Sequence, residues 1–299
     1  MHQAGGRVFH VRRRLRREDR QQVPDKRRGH LGQARRLLMA ALHPLDGEDV
    51  PAHEKVRFWN IFAETYTAEQ QGDMPERIVE WLAERGCLDK TRDVLEVGSG
   101  PGTYSFPMSR RSRSVSCLDS SAKMLDRLFE TAGREGVSNL ERIDADWNTF
   151  DPDRRWDVIV AALCSGSGTD DSIERMDRLS ASCCAMVSWI ENGGDRLQSE
   201  IWARLGKEYS FASRTTDGIV EKLEASGRRP ETREFSATVA IDMPIGEAVR
   251  RQTGTFSFFG VEKEAVAAAE DILQERSEDG ICRFRSVNRL RATVWEPLK

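Results

Sequence analysis

Residues 94–103 read VLEVGSGPGT, an apolar run carrying one acid, followed by a turn with glycine at alternate positions. Val94, Leu95 and Val97 suit a buried strand, while Gly98, Gly100 and Gly102 let the backbone reverse and approach a ligand with no Cβ in the way. The stretch from Tyr104 to Arg110 is expected to open a helix whose free N–H groups face the same ligand. Strand, glycine turn and helix in that order point to an α/β architecture with its ligand at the carboxyl end of the strand.

Glycine turns of this kind serve several nucleotides, and the spacing narrows the choice. It is G-x-G-x-G, not the dinucleotide G-x-G-x-x-G, and no G-K-[ST] follows to hold a triphosphate. Glu96 at the mouth of the turn would repel a pyrophosphate but attract an ammonium or a sulfonium. From Glu96 to Gly102 the chain resembles the first motif, acidic-x-Gly-x-Gly-x-Gly, of the Rossmann-like class I S-adenosylmethionine-dependent methyltransferases. An ordinary glycine-rich turn is the competing reading of the decapeptide taken alone.

Later residues support the resemblance. Ser114 to Leu118 reads as a second strand ending at Asp119, where the family needs an acid for both ribose hydroxyls. An aspartate after a strand is also a common helix cap, and Ser120 or Ser121 equally suits that role for a helix running through Met124, Leu125 and Leu128 to Gly136. Leu140 to Ile143 is a third candidate strand, followed by Asp146 and Trp147. The resemblance implies that Asp146 binds the adenine amino group and that Trp147 covers the ring; a core role for Trp147 stands equal to it. Trp156 to Leu163 is nearly continuous in apolar residues, as a parallel strand buried on both faces requires, and its end at Ala162 would floor the methionine part of the cofactor. Cys183 to Trp189 is the fifth strand, after a helix through Ile173, Met176 and Leu179. The cofactor residues implied are Glu96, Gly98, Ser99, Gly100, Gly102, Asp119, Ser120, Met124, Asp146, Trp147, Ala162 and, from the segment before the sheet, Tyr66.

The fold expected is therefore α/β: a doubly wound, mostly parallel seven-stranded sheet with an antiparallel last strand, N-terminal helices and helical insertions near the C-terminus. Val56, Phe58, Trp59, Phe62 and Tyr66 lie close to a helical stripe. Packing is expected of Trp59 and Phe62, whereas Tyr66 and Tyr104 carry hydroxyls suited to facing a ligand. Asp73 with Glu76 makes a capping-box-like start for a helix through Ile78, Val79 and Leu82 that stops at Gly86. Beyond Ile190 come a turn at Asn192, Gly193 and Gly194, a helix through Leu197, Ile201 and Leu205, and another over Asp217 to Ser226. Phe235 to Ile241 and Phe284 to Trp295 read as the last two strands, with helices at Ile245 to Gln252 and Val261 to Arg276 between them. That expanded connection leaves the topology of the final strands open. In its C-terminal layout the chain is similar to uncharacterised bacterial small-molecule methyltransferases, which implies that the extra helices cap an acceptor pocket.

Residues 1–38 hold twelve Lys or Arg against three Asp or Glu, so of the chain's 46 basic and 49 acidic residues the remainder keeps 34 and 46. The leader is thus basic and expected to be disordered, on an acidic body. A nucleic-acid-binding arm, a targeting sequence and translated upstream sequence with the start at Met39 compete, and the last is favoured. The organisation read from the sequence is this leader, an N-terminal helical segment over 39–90, a cofactor-binding core over 91–192, and capping helices with the final strands of the same domain over 193–299. No apolar stretch has the length of a membrane span, and the six scattered cysteines lack C-x-x-C spacing. Reduced cysteines, a cytoplasmic location and no metal are the expectations.

Methyl transfer from a sulfonium is an in-line displacement, so the protein has mainly to align the acceptor and exclude water; neither metal nor covalent intermediate is expected. All five histidines precede Glu54, so a histidine base is available only if the N-terminal segment folds back to supply His43 or His53. The [DNS]-P-P-[YF] motif of amine-methylating relatives is absent after the fourth strand, where Ala162, Leu163, Cys164 and Ser165 stand. Cys164 lacks the preceding proline of enzymes that attack a pyrimidine carbon, and reads as a small residue beside the methionine tail rather than a nucleophile. With the acidic body, this favours a small-molecule acceptor over nucleic acid; no membrane partner is expected and the oligomeric state is open. The competing functions are a non-catalytic S-adenosylmethionine-binding protein and an enzyme using another nucleoside, either aminopropyltransferase-like or NAD-dependent.

Overall fold

A computed structural model describes residues 51–192, 196–207 and 217–298. The basic leader, Met39, His43, the Gly193–Gly194 turn and the start of the segment at 39–90 lie outside the described residues. A seven-stranded sheet organises the rest, in the order β3-β2-β1-β4-β5-β7-β6. Its strands are β1 (Asp93–Val97), β2 (Ser114–Asp119), β3 (Leu140–Asp144), β4 (Trp156–Ala162), β5 (Ser180–Asn192), β6 (Glu231–Pro244) and β7 (Ile281–Trp295). The first five are mutually parallel, and β7 runs antiparallel between β5 and β6. The topology left open by the sequence is thereby closed: β6 takes the outer edge and β7 returns inside it.

The helices are α1 (Ala52–Phe62), α2 (Met74–Glu84), α3 (Ser105–Ser109), α4 (Ala122–Glu135), α5 (Asp170–Leu179), α6 (Arg196–Arg204), α7 (Asp217–Ala225), α8 (Ile245–Thr253) and α9 (Glu262–Arg276). Central strands alternate their side chains between two cores, as the pleat demands. Val94, Val158 and Val160 join α2 and α4 on one face, while Leu95, Ile159 and Ala161 join Ile173, Met176 and Ile219 of α5 and α7 on the other. Both faces being covered is why β1 and β4 read as continuous apolar runs. The insertions make a third core in which Trp202, Val249, Phe256 and Leu273 gather.

Local signals resolve in physical detail. Ser121, not Ser120, caps α4, its Oγ accepting from Met124 N, and Gly136 closes the helix in a left-handed conformation at φ 69°. The capping box expected at Asp73 does not form. Asp73 accepts from Arg77 one turn on at 3.2 Å and Glu76 pairs with Arg110, so both carboxylates serve ion pairs instead of the helix amides. The helix opening at Tyr104 spans only Ser105–Ser109, and α1 stops at Phe62, which leaves Tyr66 in the following loop.

The reduced state expected for all six cysteines needs correcting. Cys87, after α2, and Cys183, in β5, form a disulfide across 96 residues of sequence, while Cys117, Cys164, Cys184 and Cys282 are free. Both bonded cysteines lie buried in the same core, which is what brings such distant residues together.

Behind the sheet, Asp177 of α5 is surrounded by donors: the Arg228 Nε at 2.9 Å, the Trp295 Nε1 at 2.8 Å and the Leu298 N at 3.0 Å. Asp177 and Arg228 are each 6% exposed, so removing one strands the other as a buried charge. Asp177→Ala is expected to cost about 3–5 kcal/mol of stability, read by denaturant unfolding. A loss below about 1 kcal/mol would show that water replaces the carboxylate there.

Candidate functional site

At the carboxyl end of β1 the amides of Gly98 and Ser99 both donate to the Leu118 carbonyl of β2, at 2.8 and 3.0 Å. The turn is thus folded back onto the end of the neighbouring strand. Gly98 sits at φ 69° with the place of a Cβ only 2.6 Å from the Cys164 sulfur, so any side chain would displace the loop after β4. Gly100 also needs a left-handed backbone, at φ 52°, but no atom lies within 4 Å of where its Cβ would be. Its substitution would cost backbone strain and project a side chain into the open space over the turn.

Asp119 ends β2 beside this turn. One carboxylate oxygen accepts from Gly100 N and the other from Ser121 N, each at 2.8 Å. A carboxylate offers about four acceptor positions, and these backbone donors do not fill them, so acceptor capacity remains for a ligand. Burial raises its pKa, with the backbone donors opposing that shift. Ser120 is half-buried next to it and Met124 is buried on α4. Asp146, after β3, accepts from the Asn148 backbone and side-chain nitrogens at 2.9 and 3.0 Å. Trp147 belongs to the core: it is 7% exposed and its Nε1 donates to Ser172 at 2.7 Å. Ala162 is buried where β4 ends.

Glu96 lies beneath the glycine turn, 1% exposed, and accepts from the Ser105 hydroxyl. Burial pushes its carboxyl up to about 8, with the Asp119 charge adding to the shift and Ser105 opposing it. Two tyrosine hydroxyls stand in its field. Burial raises both of them, and Glu96 raises them further. Tyr66 receives a hydrogen bond from Gln71 Nε2 at 3.4 Å. The Tyr104 hydroxyl, the Ser99 hydroxyl and the Gln71 Oε1 are buried without a hydrogen-bond partner. Orphaned polar atoms of this kind are rare in a finished core. Tyr104 stands in the field of Glu96, and Gln71 is joined to it through Tyr66, so their unpartnered atoms mark a place for a polar ligand. An ammonium and a carboxylate on a nucleoside would satisfy them, so these residues fit the amino-acid end of S-adenosylmethionine.

The segment before α2 straps this site. Asn60 Oδ1 accepts from Ser121 Oγ at 2.8 Å, Lys123 pairs with Glu64 at 2.7 Å, and Arg127 donates to the carbonyls of Ala63 and Tyr66. At its other end Asn288 of β7 donates to the Gln70 carbonyl at 2.7 Å. Phe58 meets Phe258 edge-on at 5.4 Å, joining the strap to the C-terminal insertion. Gln71 gave no signal in the sequence, because one glutamine in a polar loop acquires meaning only from the tyrosine it faces. Leu163, at φ 54°, was equally unmarked; its strained backbone directly follows β4, with its N–H held by the Val187 carbonyl at 2.9 Å.

A family model described as a methyltransferase domain matches residues 94–182, which run from β1 into β5. This stretch is a methyltransferase domain. It carries the glycine turn, Asp119, Asp146 and the buried β4, and the sheet around it has the mostly parallel arrangement with antiparallel β7 of the class I methyltransferase fold. An uncharacterised protein of Haemophilus influenzae is 32% identical over 111 residues, covering 36% of this chain and 41% of its own. The 23S rRNA (uracil(1939)-C(5))-methyltransferase RlmD of Stenotrophomonas maltophilia is 25% identical over 108 residues, covering 35% of this chain and 24% of its own. The chain thus spans less than half the length of these curated relatives. Among solved structures, the DhpI–SAH complex overlaps 83% of this chain and 97% of its own at a TM-score of 0.47 and 18% identity. The YcgJ protein of Bacillus subtilis overlaps 75% and 99% at 0.47 and 13%.

The pKa shift at Glu96 makes a prediction about the ligand-free protein. Its folded value is raised above the ordinary 4.5, so the folded state holds a proton that the unfolded chain has lost between about 4.5 and about 8. Its contribution to stability is fully present below 4.5 and is lost as pH rises through 8. Glu96→Gln should therefore flatten the fall in stability over that window, measured by chemical unfolding at a series of pH values. Parallel curves for the two proteins would refute the burial-driven shift.

Proposed function

We propose that this protein transfers the methyl group of S-adenosylmethionine to a small-molecule acceptor. The observation that carries the cofactor assignment is the conjunction of Asp119, with acceptor capacity left, and the buried polar cluster at Glu96 on either side of the glycine turn. Asp119 would hold the ribose hydroxyls, Asp146 the adenine edge, and Glu96 the ammonium, with Gly98, Ser99, Gly100 and Gly102 offering close backbone approach. Ser120, Met124, Ala162 and Tyr66 complete the proposed surround. Trp147 would contribute by holding the adenine wall from within the core.

S-adenosylmethionine, when bound, supplies an electrophilic methyl on a positively charged sulfur. The chain's own task is to orient the acceptor and keep water away. Leu163, Cys164 and the strap bearing Phe62 and Tyr66 are suited to this, and no histidine among the described residues lies in the sheet domain. His53, at the start of α1, has a side chain 74% exposed and stands 3.6 Å from Glu54. An acceptor that is already nucleophilic, such as a carboxylate, thiolate or amine, agrees with that chemistry.

The uracil carbon named for RlmD is not adopted as the acceptor. The Cys164 thiol is pushed up to about 12 by burial and by the negative charges of Asp119, Glu96 and Asp146, conditions that oppose a nucleophilic thiolate. We assign 91–192 to cofactor binding and 193–299 to closing the acceptor pocket and completing the sheet. Among the described residues no helix is long and apolar enough to cross a membrane. A cytoplasmic setting agrees with four free thiols, the one disulfide being shielded at 3% and 6% exposure.

Asp119→Ala should lower S-adenosylmethionine affinity by about 2–4 kcal/mol, as removal of two charge-assisted hydrogen bonds implies. Calorimetric titration of both proteins checks this. Unchanged affinity in the variant would break the assignment. Turnover is checked by release of S-adenosylhomocysteine on incubation with an acceptor panel drawn from carboxylates, thiols and amines.

A further inference from the structure

Glu96 has an unusual set of neighbours for a group meant to meet a cation. In register across β1 and β2 it faces Cys117, and Asp119 follows two residues on along β2. Ser105 of α3 donates to it, Tyr104 stands just before that helix, and Tyr66 faces it from the strap. On the β4 side its register partner is the apolar Val160, and the Cys164 thiol lies within its field. Every titratable group in this shell is an acid in the chemical sense: carboxyl, thiol or phenol. Among the described residues no Lys, Arg or His is paired with Glu96. Arg127, the cation that acts on Tyr66, is committed to the carbonyls of Ala63 and Tyr66. A carboxylate 1% exposed, bonded by one hydroxyl and surrounded by acids, is an unpaired buried charge, and such groups neutralise rather than stay ionised.

The orphaned atoms supply the other half. Gln71 is 3% exposed, its Nε2 spent on Tyr66 and its Oε1 unpartnered; Tyr104 is 3% exposed with its hydroxyl unpartnered. A carbonyl oxygen accepts from an ammonium, and a phenol donates to a carboxylate. We propose that Gln71 and Tyr104 read the amino-acid head of the ligand together with Glu96, which is a neutral acid in the free protein and releases its proton as the ammonium arrives. The proton passes to solvent, and the buried carboxylate gains the counter-charge it lacked. Gln71 is thereby a specificity residue delivered by the strap, and ligands without the charged head gain nothing from it. This rests on the cofactor reading above and adds to it a residue and a proton balance.

The test is calorimetric titration at pH 6.5 in two buffers of different ionisation enthalpy, which counts protons exchanged on binding. S-adenosylhomocysteine carries the amino-acid head, and 5′-methylthioadenosine lacks it. The first should release close to one proton, the second none. Glu96→Gln should abolish the release while still binding 5′-methylthioadenosine, which shows that the variant is folded. Gln71→Leu should weaken S-adenosylhomocysteine by roughly tenfold, the worth of one hydrogen bond to a charged group, and leave 5′-methylthioadenosine unaffected. Wild-type affinity for S-adenosylhomocysteine should climb by close to tenfold per pH unit from pH 6 to 7.5. Binding of S-adenosylhomocysteine without proton release, or a Gln71→Leu protein that loses both ligands equally, would overturn the inference. If the wild type binds neither ligand, the cofactor reading itself fails.

Discussion

The Leu118 carbonyl accepting from both Gly98 N and Ser99 N is the contact on which the site depends. It bends the chain leaving β1 over the end of β2, and so places Gly100 N against Asp119. Without that double acceptance the turn would be an ordinary loop, and Glu96 and Asp119 would not flank one space. The bend is possible because Gly98 has no Cβ to meet Cys164, which comes from the loop after β4. Three parallel strands are thus coupled at their carboxyl ends by a handful of backbone atoms. Their register is set by the apolar alternation that fills the two cores.

The strap works at a different scale. Its grip is distributed over Asn60, Glu64, Arg127 and Asn288, mostly through side chain to backbone bonds and exposed pairs that are individually weak. Such an element can hold a residue over a ligand and still separate to admit it. Gln71 and Tyr66 reach the polar cluster only by virtue of this segment, whereas Glu96, Ser99 and Tyr104 belong to the sheet and its first turn.

How far the sequence spoke depended on whether a signal was local. β1 and β4 were legible because burial on both faces writes apolar residues at nearly every position, and the glycine turn because its spacing is itself the geometry. Asp119 could be named from its place after a strand. The order of β6 and β7 could not, since a helical insertion separates them and nothing local says which takes the edge. The Cys87–Cys183 disulfide and the partnerless Gln71 oxygen are products of long-range packing, invisible in spacing. Asp73 and Glu76 show the reverse: the local pattern suits a capping box, yet the carboxylates are engaged by Arg77 and Arg110 instead of the helix amides. The sequence around Trp147 suits ring cover and core equally, and its bond to Ser172 accounts for its place in the core.

One ligand spanning the glycine turn from Asp119 to Glu96 is what the proposed site requires. A crystal structure of the protein with S-adenosylhomocysteine measures this directly. The ribose hydroxyls should lie within hydrogen-bond distance of Asp119 and the amino-acid head against Glu96, with Gln71 and Tyr104 partnered. A ligand bound elsewhere, or in the turn with its head directed away from Glu96, would contradict it.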